Sequence, residues 1–169
     1  MFLEAAPDIT CCFSGHRPAK LPWRYDEDDP RCVALKEKLF DIADALYCAG
    51  IRHYICGMAP GCDMYFCEAV MRLRDMREDV TIEAAIPCEG QSNSWDEGLK
   101  RRYRRLVAAC DKSTLLQSEY TRDCMLKRNM YMVEHSSVLV TVYGEAIGGT
   151  MHTINYAKKL GLEIIEVHP

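Results

Sequence analysis

The sequence lacks the features of exported and membrane-embedded proteins. Residues 1–8 contain no basic segment followed by an apolar stretch, so no signal peptide is expected, and no apolar run is long enough to cross a bilayer. Cys-x-x-Cys pairs and Cys/His clusters with zinc-ligand spacing are absent, so no metal is expected. Because disulfides are rare without export, the ten cysteines are expected to be reduced, mostly buried thiols of a cytoplasmic protein.

The sequence also lacks an excess of positive charge. Its formal net charge is −4 and its pI is about 5.7, so no overall positive field would hold a nucleic-acid backbone. The one dense basic segment is Lys100–Arg105, and the neighbouring Asp96 and Glu97 make it typical of a solvated helix face. Nucleic acid is therefore not the expected partner.

Linkers, repeats and low-complexity tracts are absent as well, so residues 1–169 are interpreted as a single domain. Strands are predicted at residues 9–13, 53–56, 80–86, 113–117, 137–143 and 162–167. Helices are predicted at residues 30–49, 62–77, 95–110, 123–135 and 150–160. This alternation predicts an α/β fold with a mostly parallel sheet covered on both faces, whose strand-to-helix loops meet at the carboxyl edge.

The loop after the first predicted strand is Ser14-Gly15-His16-Arg17-Pro18. Gly15 allows close approach of the backbone, Ser14 offers a hydroxyl, and Arg17 offers a planar fork suited to phosphate or carboxylate. His16 could donate to an anion or transfer a proton. The alternative is an ordinary polar turn with a capping serine.

The loop after the second predicted strand contains Gly57, Gly61 and Asp63 and leads directly into a helix. The two glycines would admit a ligand to the backbone, and the first helical N–H groups would face it. Asp63 is either a helix cap or an acceptor for the sugar hydroxyls of a nucleotide-type ligand. Asp63 and Glu68, the latter further along the helix, are also the candidate catalytic carboxylates.

A third loop contains Gly148, Gly149 and Thr150, and it follows the most strongly β-branched strand. Paired glycines and a threonine at a helix start are suited to a phosphate cradle, and the alternative is a tight turn with Thr150 as the N-cap. The loop has neither the lysine of a Walker motif nor the dinucleotide Gly-x-Gly-x-x-Gly spacing. Arg128 is expected to reach the same edge, and Trp95 could stack on a base or belong to the core.

In this order, the motifs Ser-Gly-His-Arg-Pro, Gly-x-x-x-Gly-x-Asp and Gly-Gly-Thr resemble the YpsA-like family of the SLOG superfamily over nearly the whole chain. The resemblance implies a single-domain, Rossmann-like three-layer sandwich related to the DNA-processing protein DprA/Smf and to LONELY GUY phosphoribohydrolases. It also implies a nucleotide or nucleotide-derived ligand, with no settled reaction for YpsA-like members.

One departure bears on catalysis. The third loop of LONELY GUY enzymes resembles Pro-Gly-Gly-x-Gly-Thr-x-x-Glu, and its glutamate is held to be catalytic. Counting three residues on from Thr150 gives Thr153, so that acid is missing here. A hydrolase of that type is therefore disfavoured, although Asp63, Glu68 or Glu145 could supply a carboxylate from elsewhere.

The leading hypothesis is therefore a binding or signalling domain for a phosphate-bearing nucleotide derivative, with the cofactor unknown. Gly148, Gly149 and Thr150 would hold phosphate, Arg17 would pair with its charge, and Asp63 would accept ribose hydroxyls. The alternatives are a nucleotide N-glycosidase and a DprA-like module for single-stranded nucleic acid. The helix-rich surface and short sheet edges are compatible with a homo-oligomer.

Overall fold

The computed structural model describes residues 4–144 and 148–169. Its strands are β1 (Thr10–Gly15), β2 (His53–Cys56), β3 (Thr81–Ile86), β4 (Lys112–Leu115), β5 (Val138–Val142) and β6 (Glu163–Val167). Its helices are α1 (Pro30–Cys48), α2 (Cys62–Met76), α3 (Glu97–Ala109), α4 (Cys124–Glu134) and α5 (Gly149–Leu160), with short 3-10 helices at Pro7–Ile9 and Pro18–Lys20. Every predicted strand and helix has its counterpart in this order.

The six strands form one sheet in the order β4-β3-β2-β1-β5-β6, and every pair in it is parallel. The chain builds outward from β1 to β4 and then returns to the other side of β1 with β5. The crevice between β1 and β5 is therefore a topological switch point, the place where open α/β sheets bind ligands. The predicted α/β fold is confirmed.

The sheet is covered by helices on both faces, which gives the expected three layers. Alternate side chains of β1 point to opposite sides. Cys11 and Phe13 lie in the larger core with α1 and α2, where the Phe13 ring stacks on Phe66 at a centroid distance of 4.6 Å. Cys12 lies in the smaller core with α4 and α5. The Rossmann-like three-layer sandwich is thus confirmed.

One predicted boundary at the carboxyl edge, the end of β1, needs correction. Ser14 and Gly15 belong to β1 rather than to a loop, because they pair with Thr141 and Val142 of β5. A side chain on Gly15 would not fit there, since its Cβ would lie 2.7 Å from Cβ of Cys62. The glycine therefore lets the start of α2 pack directly on the end of β1.

Most of the cysteine side chains are buried, as expected from the sequence. All ten cysteines are free thiols, and all but Cys48 and Cys110 are buried, as expected for small apolar side chains. No helix of the described residues combines the length and the apolar character needed to cross a membrane.

Candidate functional site

A cavity of about 280 Å³ lies at the switch point between β1 and β5. It is lined by Ser14, Gly15, His16, Arg17, Ala19, Lys20, Ala59, Asp63, Met125, Arg128, Asn129, Gly149 and Thr150. The three glycine-containing segments thus meet at one place, together with the first turns of α4. Three of the lining residues carry a cationic side chain and one carries a carboxylate.

Arg128 is the buried cation of this cavity, only 4% exposed. Its Nη1 donates to the carbonyl oxygen of Gly57, and its Nε donates to Oδ1 of Asn129 at 2.7 Å. Among the described residues, the partner of its Nη2 is the weak acceptor Sδ of Met125, at 3.9 Å. Burial lowers the pKa of Arg128 because the guanidinium loses its hydration, and the nearby charge of Asp63 opposes this effect.

Asp63 is the buried carboxylate of the cavity, also 4% exposed. Burial raises its pKa, and the charges of Arg128 and Arg17 oppose that rise. Its Oδ2 accepts a hydrogen bond from the Ala59 N–H at 3.3 Å, so the carboxylate holds the loop that precedes the helix. The cap interpretation is wrong, because the N-cap of α2 is Gly61 and no side chain caps it.

The loop from β2 to α2 depends on its glycines. A Cβ on Gly57 would lie 2.6 Å from Nη1 of Arg128, so any side chain there would displace the guanidinium. Gly61 has φ +88°, and its Cβ would lie 2.9 Å from the carbonyl oxygen of His16. Met58 adopts φ +59° in the same loop, a left-handed conformation that is costly for a non-glycine residue and concentrates at functional sites.

His16 joins the first loop to the third. It is 3% exposed, and its Nε2 accepts the Gly144 N–H at 2.9 Å. Burial lowers the pKa of His16, which favours the neutral ring that this hydrogen bond requires. Its carbonyl oxygen also accepts the Cys62 N–H at 3.2 Å. With its Nε2 lone pair used in this way, His16 positions the loops, and that nitrogen is not free to donate to an anion.

The start of α5 presents backbone amides to the cavity. Gly148 is the N-cap, and Gly149 and Thr150 are the first two helical residues, so Thr150 is not the N-cap. The unpaired N–H groups and the dipole of a helix N-terminus favour anions. Lys20 also approaches this turn, since its Nζ lies 2.5 Å from the Cβ that a side chain at Gly148 would have.

A chain of hydrogen bonds connects Arg128 to the start of α5. Oδ1 of Asn129 accepts from Arg128, and its Nδ2 donates to Oγ1 of Thr153 at 2.9 Å. The Thr153 hydroxyl in turn donates to the carbonyl oxygen of Gly149 at 3.0 Å. Thr153, at the position where LONELY GUY enzymes have glutamate, is therefore a buried link between α4 and α5.

Glu68 is not among the described residues that line the cavity. Its carboxylate accepts two hydrogen bonds from Arg102, at 2.9 and 2.8 Å, and one from Arg105 at 3.2 Å. Glu68 therefore joins α2 to α3 instead of facing a ligand at the cavity. The third carboxylate named from the sequence, Glu145, lies outside the described residues.

Among the described residues, three of the five basic side chains of the segment Lys100–Arg105 pair with acids. Lys100 pairs with Glu97, and Arg102 bridges Glu27 and Glu68 across two other segments of the chain. Trp95, just before α3, packs edge-on against Tyr103 at a centroid distance of 5.4 Å. It lines a neighbouring groove rather than the cavity itself.

The remaining predicted residues lie at or directly behind the cavity. Ser14, Gly15, Arg17, Gly149, Thr150 and Arg128 line it. Gly57 and Gly148 make room for the side chains of Arg128 and Lys20, whereas Gly61 makes room for the His16 carbonyl group and Pro18. Lys20 also lines the cavity, but it was not predicted from the sequence. Its position three residues after Arg17, close to the first loop, could have indicated it. No group of three or more His, Cys, Asp or Glu residues in the described ranges is arranged to hold a metal ion.

The parallel sheet and the position of the cavity define this chain as a Rossmann-like protein with a cavity at its switch point. The model of the YspA SLOG family (YpsA) matches residues 11–162, and the chain belongs to this family. It is similar to the uncharacterized SPbeta prophage-derived protein YoqJ of Bacillus subtilis strain 168, with 29% identity over 156 residues, which is 83% of this chain and 91% of that protein. It is also similar to the UPF0398 protein BH1768 of Halalkalibacterium halodurans, with 23% identity over 118 residues, 68% of this chain and 62% of that protein.

Two solved structures share the fold. DNA processing protein A (DprA) of Streptococcus pneumoniae superposes with a TM-score of 0.63 at 12% identity, covering 94% of this chain and 50% of that one. DprA of Helicobacter pylori, whose structure addresses its binding of single-stranded DNA, gives a TM-score of 0.63 at 15% identity, covering 95% and 65%. The present chain thus spans half to about two thirds of the DprA chains, and the likeness concerns the fold.

Proposed function

We propose that this protein binds a phosphate-bearing nucleotide or nucleotide derivative in the cavity between β1 and β5, as a sensor or signalling domain. Gly149 and Thr150 would hold a phosphate through the amides at the start of α5. Arg17 and Arg128 would neutralise its charge, and Asp63 would accept hydroxyls of the ribose. Sugar hydroxyls are suitable donors for a buried carboxylate that needs hydrogen-bond partners.

The observation that carries this proposal is the burial of Arg128. A buried charge is costly unless it is paired and hydrogen-bonded. Its Nη1 and Nε are satisfied by neutral oxygens, and its Nη2 has a weak sulfur acceptor among the described residues. Burial already lowers its pKa. A phosphate in the cavity would give Nη2 a stronger acceptor than the sulfur it has among the described residues, in a charge-assisted hydrogen bond.

The experiment is a calorimetric titration of the protein with inorganic phosphate, AMP and ADP, with thermal shift as a second readout. Arg128→Met removes the guanidinium but keeps an unbranched side chain. Arg122→Met, at an exposed arginine outside the cavity, is the matched control. We expect at least a ten-fold loss of affinity for Arg128→Met and none for Arg122→Met. Absence of binding by the unchanged protein at millimolar concentration would contradict the proposal.

An enzymatic alternative is favoured by one residue. Asp63 is a carboxylate at the cavity whose pKa is raised by burial, which is a feature of catalytic acids and bases. In this alternative the protein cleaves the N-glycosidic bond of a nucleotide next to Asp63. Release of free base from AMP, lost in Asp63→Asn, would support it, and intact AMP after prolonged incubation with folded protein would exclude it for this substrate.

A second alternative is suggested by the fold shared with DprA. Cationic side chains at the cavity could hold the phosphates of single-stranded DNA as well as those of a nucleotide. On α3, however, Lys100, Arg102 and Arg105 already pair with acidic residues of this chain. This pairing weakens the case for nucleic-acid binding. A fluorescence titration with labelled single-stranded DNA at several salt concentrations would decide, because phosphate contacts give a steep loss of affinity with salt.

A further inference from the structure

A second depression of about 360 Å³ adjoins the cavity and shares Arg17 and Ala19 with it. We call it the aromatic groove, and it is lined by Arg17, Pro18, Ala19, Tyr25, Pro60, Ser94, Trp95, Asp96 and Leu99. The turn that begins at Arg17 therefore has the cavity on one side and the groove on the other. A ligand longer than a single phosphate can extend from one to the other across this turn.

The groove offers rings and apolar surface. Trp95 is half-buried and held by its edge-to-face contact with Tyr103, so its ring is already positioned. Tyr25 is 68% exposed, which leaves its ring open to a ligand. Pro18, Pro60 and Leu99 add apolar surface. Aromatic side chains with free faces are the usual platform for a nucleobase, because every base has a π-face.

The charges of the two depressions differ in a way that orients a nucleotide. The cavity contains the cations Arg128 and Lys20 and the positive end of α5, which together outweigh its one carboxylate, Asp63. The groove has Arg17 only at its border with the cavity, and it also contains the carboxylate of Asp96. That carboxylate disfavours a phosphate within the groove. Phosphates therefore prefer the cavity and the border at Arg17, and an uncharged planar group prefers the groove.

The guanidinium of Arg17 has no hydrogen bond or ion pair with any residue that the structure describes, and the residue is exposed. Its charge nevertheless acts on both Asp63 and Arg128, which places it near the cavity. A planar guanidinium at the border can bind a second phosphate through paired hydrogen bonds.

We propose that the aromatic groove holds the base of a nucleoside diphosphate whose phosphates lie in the cavity and at Arg17. This inference rests on the proposed function, since it names the ligand class of the same site. It assigns Tyr25 and Trp95 to base stacking, a role that the cavity alone does not require.

The test compares a ligand that has a base with one that lacks it. ADP and pyrophosphate are titrated calorimetrically into the unchanged protein and into Tyr25→Ala, Tyr25→Phe and Tyr120→Ala. Tyr120 is 69% exposed and lies outside the groove, so it is a matched control. We expect Tyr25→Ala to weaken ADP binding by about five-fold or more, from the energy of one base–aromatic stack. Pyrophosphate binding should stay within about two-fold, and Tyr25→Phe and Tyr120→Ala should bind ADP normally.

The outcomes separate this inference from the proposed function. If Tyr25→Ala binds ADP as well as the unchanged protein does, the base does not occupy the groove, and phosphate binding in the cavity still stands. If Tyr25→Ala weakens ADP and pyrophosphate equally, Tyr25 acts on the phosphate site, and the assignment to stacking is overturned. If the unchanged protein binds neither ligand at millimolar concentration, both proposals fail.

Discussion

The buried carboxylate of Glu83 gives the most quantitative prediction for this protein. Glu83 lies on β3 and is 2% exposed. It accepts hydrogen bonds from Nε2 of His53 at 3.0 Å, from the Thr114 hydroxyl at 2.6 Å and from the Tyr131 hydroxyl at 2.7 Å, and Nζ of Lys112 lies 3.5 Å away. These groups come from β2, β4 and α4. The carboxylate thus connects these three elements to β3.

The size of its contribution follows from its pKa. Burial tends to raise the pKa of Glu83, but the hydrogen bonds from His53, Thr114 and Tyr131 and the charge of Lys112 together lower it from 4.5 to about 2. Such a lowering corresponds to about 3 kcal/mol of folding free energy for the ionised form. Because a domain is stable by about 5–15 kcal/mol, this is a large share of the total.

We therefore expect Glu83→Gln to lower the free energy of unfolding at pH 7 by about 3 kcal/mol, or the melting temperature by about 6–12 °C. The amide keeps one acceptor but loses the charge that the surrounding donors stabilise. The folded-state pKa lies below the ordinary value, so the stabilisation is complete above pH 4.5 and is lost as the pH falls towards 2. The two proteins should therefore converge in stability over that range.

The assay is urea denaturation followed by circular dichroism at several values between pH 7 and pH 3. Glu37→Gln is the matched control, because Glu37 forms an exposed pair with Arg72 and exposed pairs contribute about 0–1 kcal/mol. A difference between Glu83→Gln and the unchanged protein that stays constant down to pH 3 would refute the argument. So would a difference below about 1 kcal/mol at pH 7.

Three further predictions concern the site and its supports. Gly57→Ala should weaken phosphate or ADP binding about ten-fold or more in a calorimetric titration, because the new Cβ would displace the Arg128 guanidinium; an unchanged affinity would show that this guanidinium is not needed. Thr153→Glu should lower the melting temperature by several degrees without creating AMP hydrolysis, since it buries an unpaired charge; released base would contradict this. Arg102→Gln should cost about 1–3 kcal/mol in urea denaturation by breaking a half-buried bridge to two carboxylates; an effect no larger than that of Glu37→Gln would show the bridge to be weak.

The fold was predictable because its signals are local. The predicted strands at 53–56 and 137–143 are short apolar runs, and the segments between the strands have apolar residues at helical spacing. Such runs are typical of buried parallel strands, and the structure has strands at both places. Glycine and proline marked several of the predicted boundaries, such as Gly50 after α1 and Pro87 after β3. The errors occur where tertiary pairing decides, as at Ser14 and Gly15, whose strand conformation depends on β5, more than a hundred residues away.

The residues of the site were harder to assign, because residue type and spacing do not give the direction of a side chain. Glu68 and Asp63 lie on the same helix, yet Asp63 lines the cavity and Glu68 pairs with α3. The positioning role of His16 also could not be predicted, because it depends on a hydrogen bond to Gly144, 128 residues further on. Arg128 was expected at this edge, but its burial was not.

The position of Thr153 links the geometry of the cavity to the choice between binding and hydrolysis. The Thr153 hydroxyl accepts from Asn129 and donates to Gly149, and Asn129 in turn accepts from Arg128. A glutamate at 153 would keep an acceptor for Asn129 but lose the donor to Gly149, and its charge would lie among groups that now orient the guanidinium. A residue at position 153 can therefore either act as a catalytic acid or hold Arg128 and the first turn of α5 in place, but not both. Threonine satisfies the second requirement, and for this reason we favour a site that holds its anionic ligand over one that cleaves it.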